Sequence, residues 1–177
     1  MLDRRRFLTL GATAALGMAV TPRRLLASTG SRRTLNLYCP HSSEQIEVEY
    51  WVDGWYNPDV LAQCNHLMRD RRSGEVTNMD PHLLDLLHAL QTRCDFSSPI
   101  HVICGYRSPR TNAMLARNNR GVAKNSYHIK GMAVDIRVPG YSLHGLRQIA
   151  MDLNAGGVGY YPRSEFLHID TGPVRAW

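Results

Sequence analysis

A chain of 177 residues with 44% hydrophobic side chains is long enough for one packed domain and little more. Its formal charge of +6 is concentrated at one end, because residues 1–27 hold five arginines against one aspartate and the rest of the chain carries only +2. That small excess, without an arginine-rich helix or interleaved stacking residues, gives no ground for a nucleic-acid partner.

The first segment reads as an address. Asp3-Arg4-Arg5-Arg6-Phe7-Leu8 has the twin-arginine export pattern, and an apolar run from Leu8 to Val20 follows it. As a helix that run spans roughly 20 Å, short of the ~30 Å a membrane core requires. Residues 1–27 are therefore expected to be a signal that sends the chain to the periplasm, with no membrane span in the mature form. Leu25-Leu26-Ala27 is an imperfect cleavage site, so retention as an anchor stays open. Residues 28–33 read as a polar linker and 34–177 as the single domain.

Leu35–Leu37 and Ile46–Val52 read as strands of a hairpin turned at Pro40–Glu44. Asn57-Pro58 and Asp80-Pro81 each open a helix with a cap followed by a first-turn proline. The first carries Leu61, Cys64, Leu67 and Met68 inward and is expected to end at Gly74; the second buries Leu83, Leu84, Leu87 and Leu90. Ile100–Cys104 is a buried strand delivering Gly105-Tyr106-Arg107, and Ser108-Pro109 starts a helix running to about Asn118. A basic connection from Arg117 to Asn125 leads into Ala133–Val138, a strand with Ala133, Asp135 and Arg137 on one face. Ser142 caps a last helix ended by Gly156-Gly157, and Val158–Tyr161 and Phe166–Ile169 are short strands. The order predicts an α+β domain: a small, mostly antiparallel sheet with helices packed around it. Cys39, Cys64, Cys94 and Cys104 contain no Cys-x-x-Cys pair, which argues against a cysteine zinc cluster; disulfides and buried thiols both stay open. His41, His66, His82 and His88 read as surface or packing residues.

The chemistry concentrates in two stretches, Ser126-Tyr-His-Ile-Lys-Gly-Met-Ala-Val-Asp135 and Glu165-Phe-Leu-His-Ile-Asp170. His128, Asp135 and His168 supply two imidazoles and a carboxylate, a set that suits one catalytic zinc per chain and leaves a fourth position for water. Either stretch alone is a weak signal. Together, with Gly105-Tyr-Arg-Ser108, Arg120-Gly-Val-Ala-Lys124 and Gly156-Gly-Val-Gly-Tyr-Tyr-Pro-Arg163, they resemble the zinc peptidases grouped with lysostaphin, D-Ala-D-Ala peptidases and sonic hedgehog, and among them the murein endopeptidases. The resemblance covers most of the chain after about residue 33. It implies a hedgehog/D-Ala-D-Ala peptidase-like fold, peptidoglycan stem peptides as substrate, Glu165 as general base and Arg107 near the scissile carbonyl. Residues three apart on a regular strand face opposite sides, so Glu165 must lie in the turn before its strand to serve. Asp170 shares a face with His168 and is a candidate to orient either a metal ligand or a substrate amine; Ser126 either joins it or caps a turn, and Tyr160 either lines the groove or packs in the core. Arg107, Arg110, Arg117, Arg120, Lys124 and Lys130 run without an acidic residue, either as a solvated face or as a cleft attracting carboxylates. A D-Ala-D-Ala-type carboxypeptidase or dipeptidase and a non-catalytic wall-binding module remain as alternatives.

Overall fold

The computed structural model describes residues 32–118 and 121–177. The expected signal segment, and all but the end of the expected linker, lie outside them. β1 (Arg32–Cys39) and β2 (Glu44–Val52) form the hairpin, paired from Cys39 opposite Glu44 to Arg32 opposite Val52. β1 starts at Arg32, inside the stretch read as linker, because Arg33 is drawn into the fold. Its guanidinium donates to Asp85 at 2.6 Å and lies 4.4 Å over the Trp51 ring. Tyr50 and Tyr56, the latter on the short β3 (Trp55–Tyr56), donate their hydroxyls to the same buried carboxylate at 3.0 and 2.6 Å. Four elements are thus tied at one acid.

The helix starts follow their caps. Asn57 accepts from the amides of Asp59 and Val60 at the head of α1 (Pro58–Leu67), and Asp80 accepts from His82 at the head of α2 (Pro81–Cys94). α1 ends at Met68, not at Gly74. Buried Asp70 intervenes: its side chain accepts the Arg72 and Ser73 amides, and its carbonyl accepts the Gly74 amide, so residues 70–74 form a turn of their own. Gly74 closes that turn with φ of 74°. α3 (Pro109–Asn118) and α4 (Leu143–Asp152) start behind Ser108 and Ser142 as expected, each hydroxyl accepting an amide three residues on.

β4 (Ile100–Cys104), β5 (Ala133–Arg137), β6 (Gly157–Tyr161), β7 (Phe166–Asp170) and β8 (Arg175–Ala176) complete one sheet in the order β3-β2-β1-β4-β5-β7-β6-β8. Among the described strands only β1–β4 and β6–β8 pair in parallel. The domain is α+β with a mostly antiparallel sheet, wider than expected because the two-residue strands β3 and β8 extend its edges. α2 and α4 pack on each other and on the sheet. Val134, Ile136, Leu167 and Ile169 point into that core, as do five buried leucines of α2. Each such leucine contributes on the order of 2 kcal/mol of burial. With period two, the alternate residues of β5 and β7 stand on the other face, and that face carries the site.

Candidate active site

Asp135 on β5 lies directly opposite His168 on β7, and Ala133 lies opposite Asp170. The strand period then puts Asp135, His168 and Asp170 on one face. His128 arrives separately, on a single 3-10 turn, Tyr127–Lys130. Ser126 accepts the His128 amide at 3.3 Å and Gly131 closes the turn in the left-handed region. The His128 carbonyl accepts the Arg107 amide, and the Gly131 carbonyl accepts that of Asp80. The turn is therefore fastened to the ends of two distant loops.

Proton placement decides what this cluster can do. His128 Nδ1 stands 2.7 Å from the Gly105 carbonyl, which can only accept, so Nδ1 carries hydrogen and Nε2 keeps its lone pair. His168 Nε2 stands 2.9 Å from Asp170 Oδ2, which leaves the His168 lone pair on Nδ1. Those two lone-pair nitrogens are 3.2 Å apart, and they lie 3.3 and 2.9 Å from Asp135 Oδ1. Three acceptors face one another with no donor between them. Ligands 2.0–2.2 Å from a tetrahedral zinc stand about 3.3 Å from each other. The trio fits one face of such a tetrahedron.

The electrostatics agree. Burial alone would depress His128, but Asp135 and Cys104 outweigh it and lift its pKa to about 10. Burial would raise Asp135, and the two imidazoles hold it well below the usual carboxylate range instead. The pocket draws positive charge, and without a metal a proton on His128 meets the demand. Cys104, His128 and Asp135 also offer atoms within 4.8 Å of one another. Cys104 Sγ, however, lies 3.9 Å from His128 Nδ1, the ring edge already held by Gly105. His168, whose lone pair faces inward, completes the set better.

Asp170 is fully buried and fully satisfied. Besides His168 it accepts from Arg175 at 2.6 and 3.0 Å and from the Gly172 and Gly157 amides at 2.9 and 3.3 Å. Burial would raise this carboxyl, yet those donors hold it below the ordinary range. The carboxylate–histidine pair fixes the tautomer that a metal ligand needs. β6 makes room for it: a Cβ on Gly157 would sit 2.5 Å from Asp170 Oδ2, and one on Gly159 would sit 2.7 Å from the Trp177 ring. Trp177 packs beside His168, with ring centroids 5.3 Å apart, and donates Nε1–H to the Tyr161 hydroxyl.

A cleft opens over the trio. Trp177, Tyr161, Ser164 and Phe166 line one part of it, with Tyr161 and Phe166 stacked at 4.6 Å. Arg107 and the loop containing Gly121–Ala123 and Asn125 also line it. Arg107 Nη1 donates to Asn112 and Nη2 reaches Cys104 Sγ at 3.6 Å, so its head is held. Buried Asn112 also donates to the Ala123 and Lys124 carbonyls at 3.0 and 3.3 Å. One amide fastens both the arginine and the loop.

The peptidase family model described as "Peptidoglycan L,D-endopeptidase MepK" matches residues 27–177. The chain belongs to this metallopeptidase family. It is 45% identical to the peptidoglycan L,D-endopeptidase MepK of Escherichia coli K12, over 99% of this chain and 97% of that one. It is 44% identical to the probable peptidoglycan L,D-endopeptidase MepK of Haemophilus influenzae, over 99% and 95%.

Within this MepK-family chain, the structure brings together His128, Asp135, His168, Asp170 and Arg107. Ser126 is buried as the cap of the His128 turn. Tyr160 stands apart from the cleft, half-buried against the core with the Arg147 guanidinium 5.2 Å over its ring; the neighbouring Tyr161 takes the cleft position. Glu165 occupies the turn before β7, as strand geometry requires, in the left-handed region. Its side chain is 75% exposed and 3.5 Å from Arg137, outside the cleft lining. Asn112, Arg175 and Trp177 were not legible as site residues, since their roles depend on contacts between distant segments. All four cysteines are free thiols.

Proposed function

We propose that this chain is a periplasmic, zinc-dependent endopeptidase that hydrolyses peptidoglycan cross-links at an L,D bond involving meso-diaminopimelate, in wall growth or remodelling. The observation that carries this reading is the trio of inward-facing ligand atoms, His128 Nε2, His168 Nδ1 and Asp135 Oδ1, within 3.3 Å of one another. Family membership supports the reaction class, and the activity named for the Escherichia coli and Haemophilus influenzae relatives supports the substrate and the bond. The Arg4-Arg5-Arg6-Phe7-Leu8 stretch supports export by the twin-arginine route.

His128, Asp135 and His168 would hold the metal. Zinc held there would supply Lewis acidity and lower the pKa of water towards neutrality. Arg107, its head fixed by Asn112, meets the carbonyl oxygen as negative charge develops. Glu165 moves a proton from water to the leaving amine. It stands beside cleft-lining Ser164 and Phe166, and the role requires its carboxylate to leave Arg137 for the cleft. The aromatic residues Tyr161, Phe166 and Trp177 give the aliphatic part of the stem an apolar wall.

The test is mass spectrometry of purified peptidoglycan incubated with chelated, zinc-restored and His168→Ala protein. Zinc-dependent conversion of cross-linked dimers to monomers is expected, with fragment masses marking the L,D bond. Stems trimmed while still cross-linked would instead make the protein a carboxypeptidase. Binding without any product would make it a wall-binding module.

A further inference from the structure

Helix α3 separates two basic surfaces. Asn112 turns towards the cleft loop. At 3.6 residues per turn, Arg110, Met114 and Arg117 fall on the opposite side, with Ala113 at its edge. There, with Arg72 and Ser73 from the 70–74 turn, they line a second groove. α3 stands between this groove and the loop that lines the cleft.

The arginines of this groove differ from those that serve the fold as ion pairs. Arg32, Arg33, Arg69, Arg137 and Arg175 each pair with a carboxylate. The guanidinium groups of Arg72, Arg110 and Arg117 have no hydrogen-bond or ion-pair partner among the described residues. No acidic residue occurs between Asp95 and Asp135, and nearby Asp70 is buried with its oxygens facing the amides of Arg72, Ser73 and Ser108. Met114 lies between Arg110 and Arg117 in sequence, 43% exposed. Seven positions of helix set Arg110 and Arg117 about 10 Å apart along the axis. The groove offers a row of unpaired forks, each matched to a carboxylate, beside an apolar patch.

We propose that this groove is a second binding site for the wall polymer, taking carboxylates of a stem next to the one in the cleft. The identity of the polymer rests on the endopeptidase reading; the anion site rests on the groove. Engaging two stems at once makes the second contact effectively intramolecular, so the enzyme is held on an intact wall while each single ion pair stays weak.

The experiment compares zinc-loaded wild type with Arg110→Glu/Arg117→Glu and Arg110→Lys/Arg117→Lys, using co-sedimentation with isolated sacculi over a salt series and hydrolysis of sacculi and of soluble cross-linked dimers. The charge-reversed protein is expected to bind sacculi about tenfold or more weaker at low salt, with a flatter salt dependence. It is expected to cut sacculi more slowly and soluble dimers at the wild-type rate, with the lysine pair in between. Unchanged sedimentation, or equal loss on sacculi and dimers, would overturn the proposal. So would binding that polyphosphate displaces and polyglutamate does not, since the preferred anion would then be phosphate. If wild type cuts no wall substrate, the endopeptidase reading fails, while sedimentation still decides the groove.

Discussion

Both oxygens of Asp170 are occupied by charged or amide donors, so an Asp170→Asn side chain would keep the shape but lose the charge that holds hydrogen on His168 Nε2. His168 could then present either tautomer to the cluster. Zinc affinity is expected to fall about 10–100-fold, as measured by competition with a chromophoric chelator. Arg175, itself exposed, would also lose its charged partner, at a cost of about 1–2 kcal/mol seen in thermal melts. An unchanged zinc affinity would mean that His168 is not held for a metal by Asp170. Part of this was legible: Asp170 follows His168 by two residues, and a strand puts both on one face. Arg175 was not legible, because its approach depends on the parallel pairing of β8 with β6 and on the bare Gly157 between them.

At the scale of elements, α3 and the loop after it act through Asn112. Asn112→Asp keeps the oxygen that Arg107 uses and removes both donors to the loop, whereas Asn112→Leu removes all three contacts. At about 1 kcal/mol per lost hydrogen bond, the aspartate variant is expected to raise KM by roughly 10-fold or more with kcat nearly kept, and trypsin should cut faster after Lys124. The leucine variant should lower kcat as well. Equal losses in both variants would show that Asn112 serves only the fold. Helix starts were legible because caps are local: Asn57, Asp80, Ser108 and Ser142 each satisfy amides within three residues. The end of α1 was not, because Asp70 also reaches the Ser108 amide at 2.8 Å, thirty-eight residues away. Asn112 looked like any polar helix residue for the same reason.

For the whole molecule, the proposed zinc site links metal, proton and fold at one cluster. His128 has a pKa of about 10 in the metal-free fold, against about 6.5 in an unfolded chain. The raised value means that its proton stabilises the metal-free fold fully below pH 6.5, and that this contribution fades as pH climbs towards 10. Asp135, held low, contributes as a carboxylate above about pH 4 and loses that contribution only in acid. Zinc must displace the His128 proton, so its affinity rises over the same interval in which the metal-free fold weakens. A thousandfold excess over Kd stabilises the native state by about 4 kcal/mol, or roughly 8–16 °C in Tm for a domain of this size. The gap in Tm between zinc-saturated and chelated protein is therefore expected to widen from pH 6.5 to pH 8.5. Paired calorimetric scans at several pH values check this, and His168→Ala should show a small gap at every pH. A gap that stays constant or narrows as pH rises would mean that zinc and the His128 proton do not compete for one place.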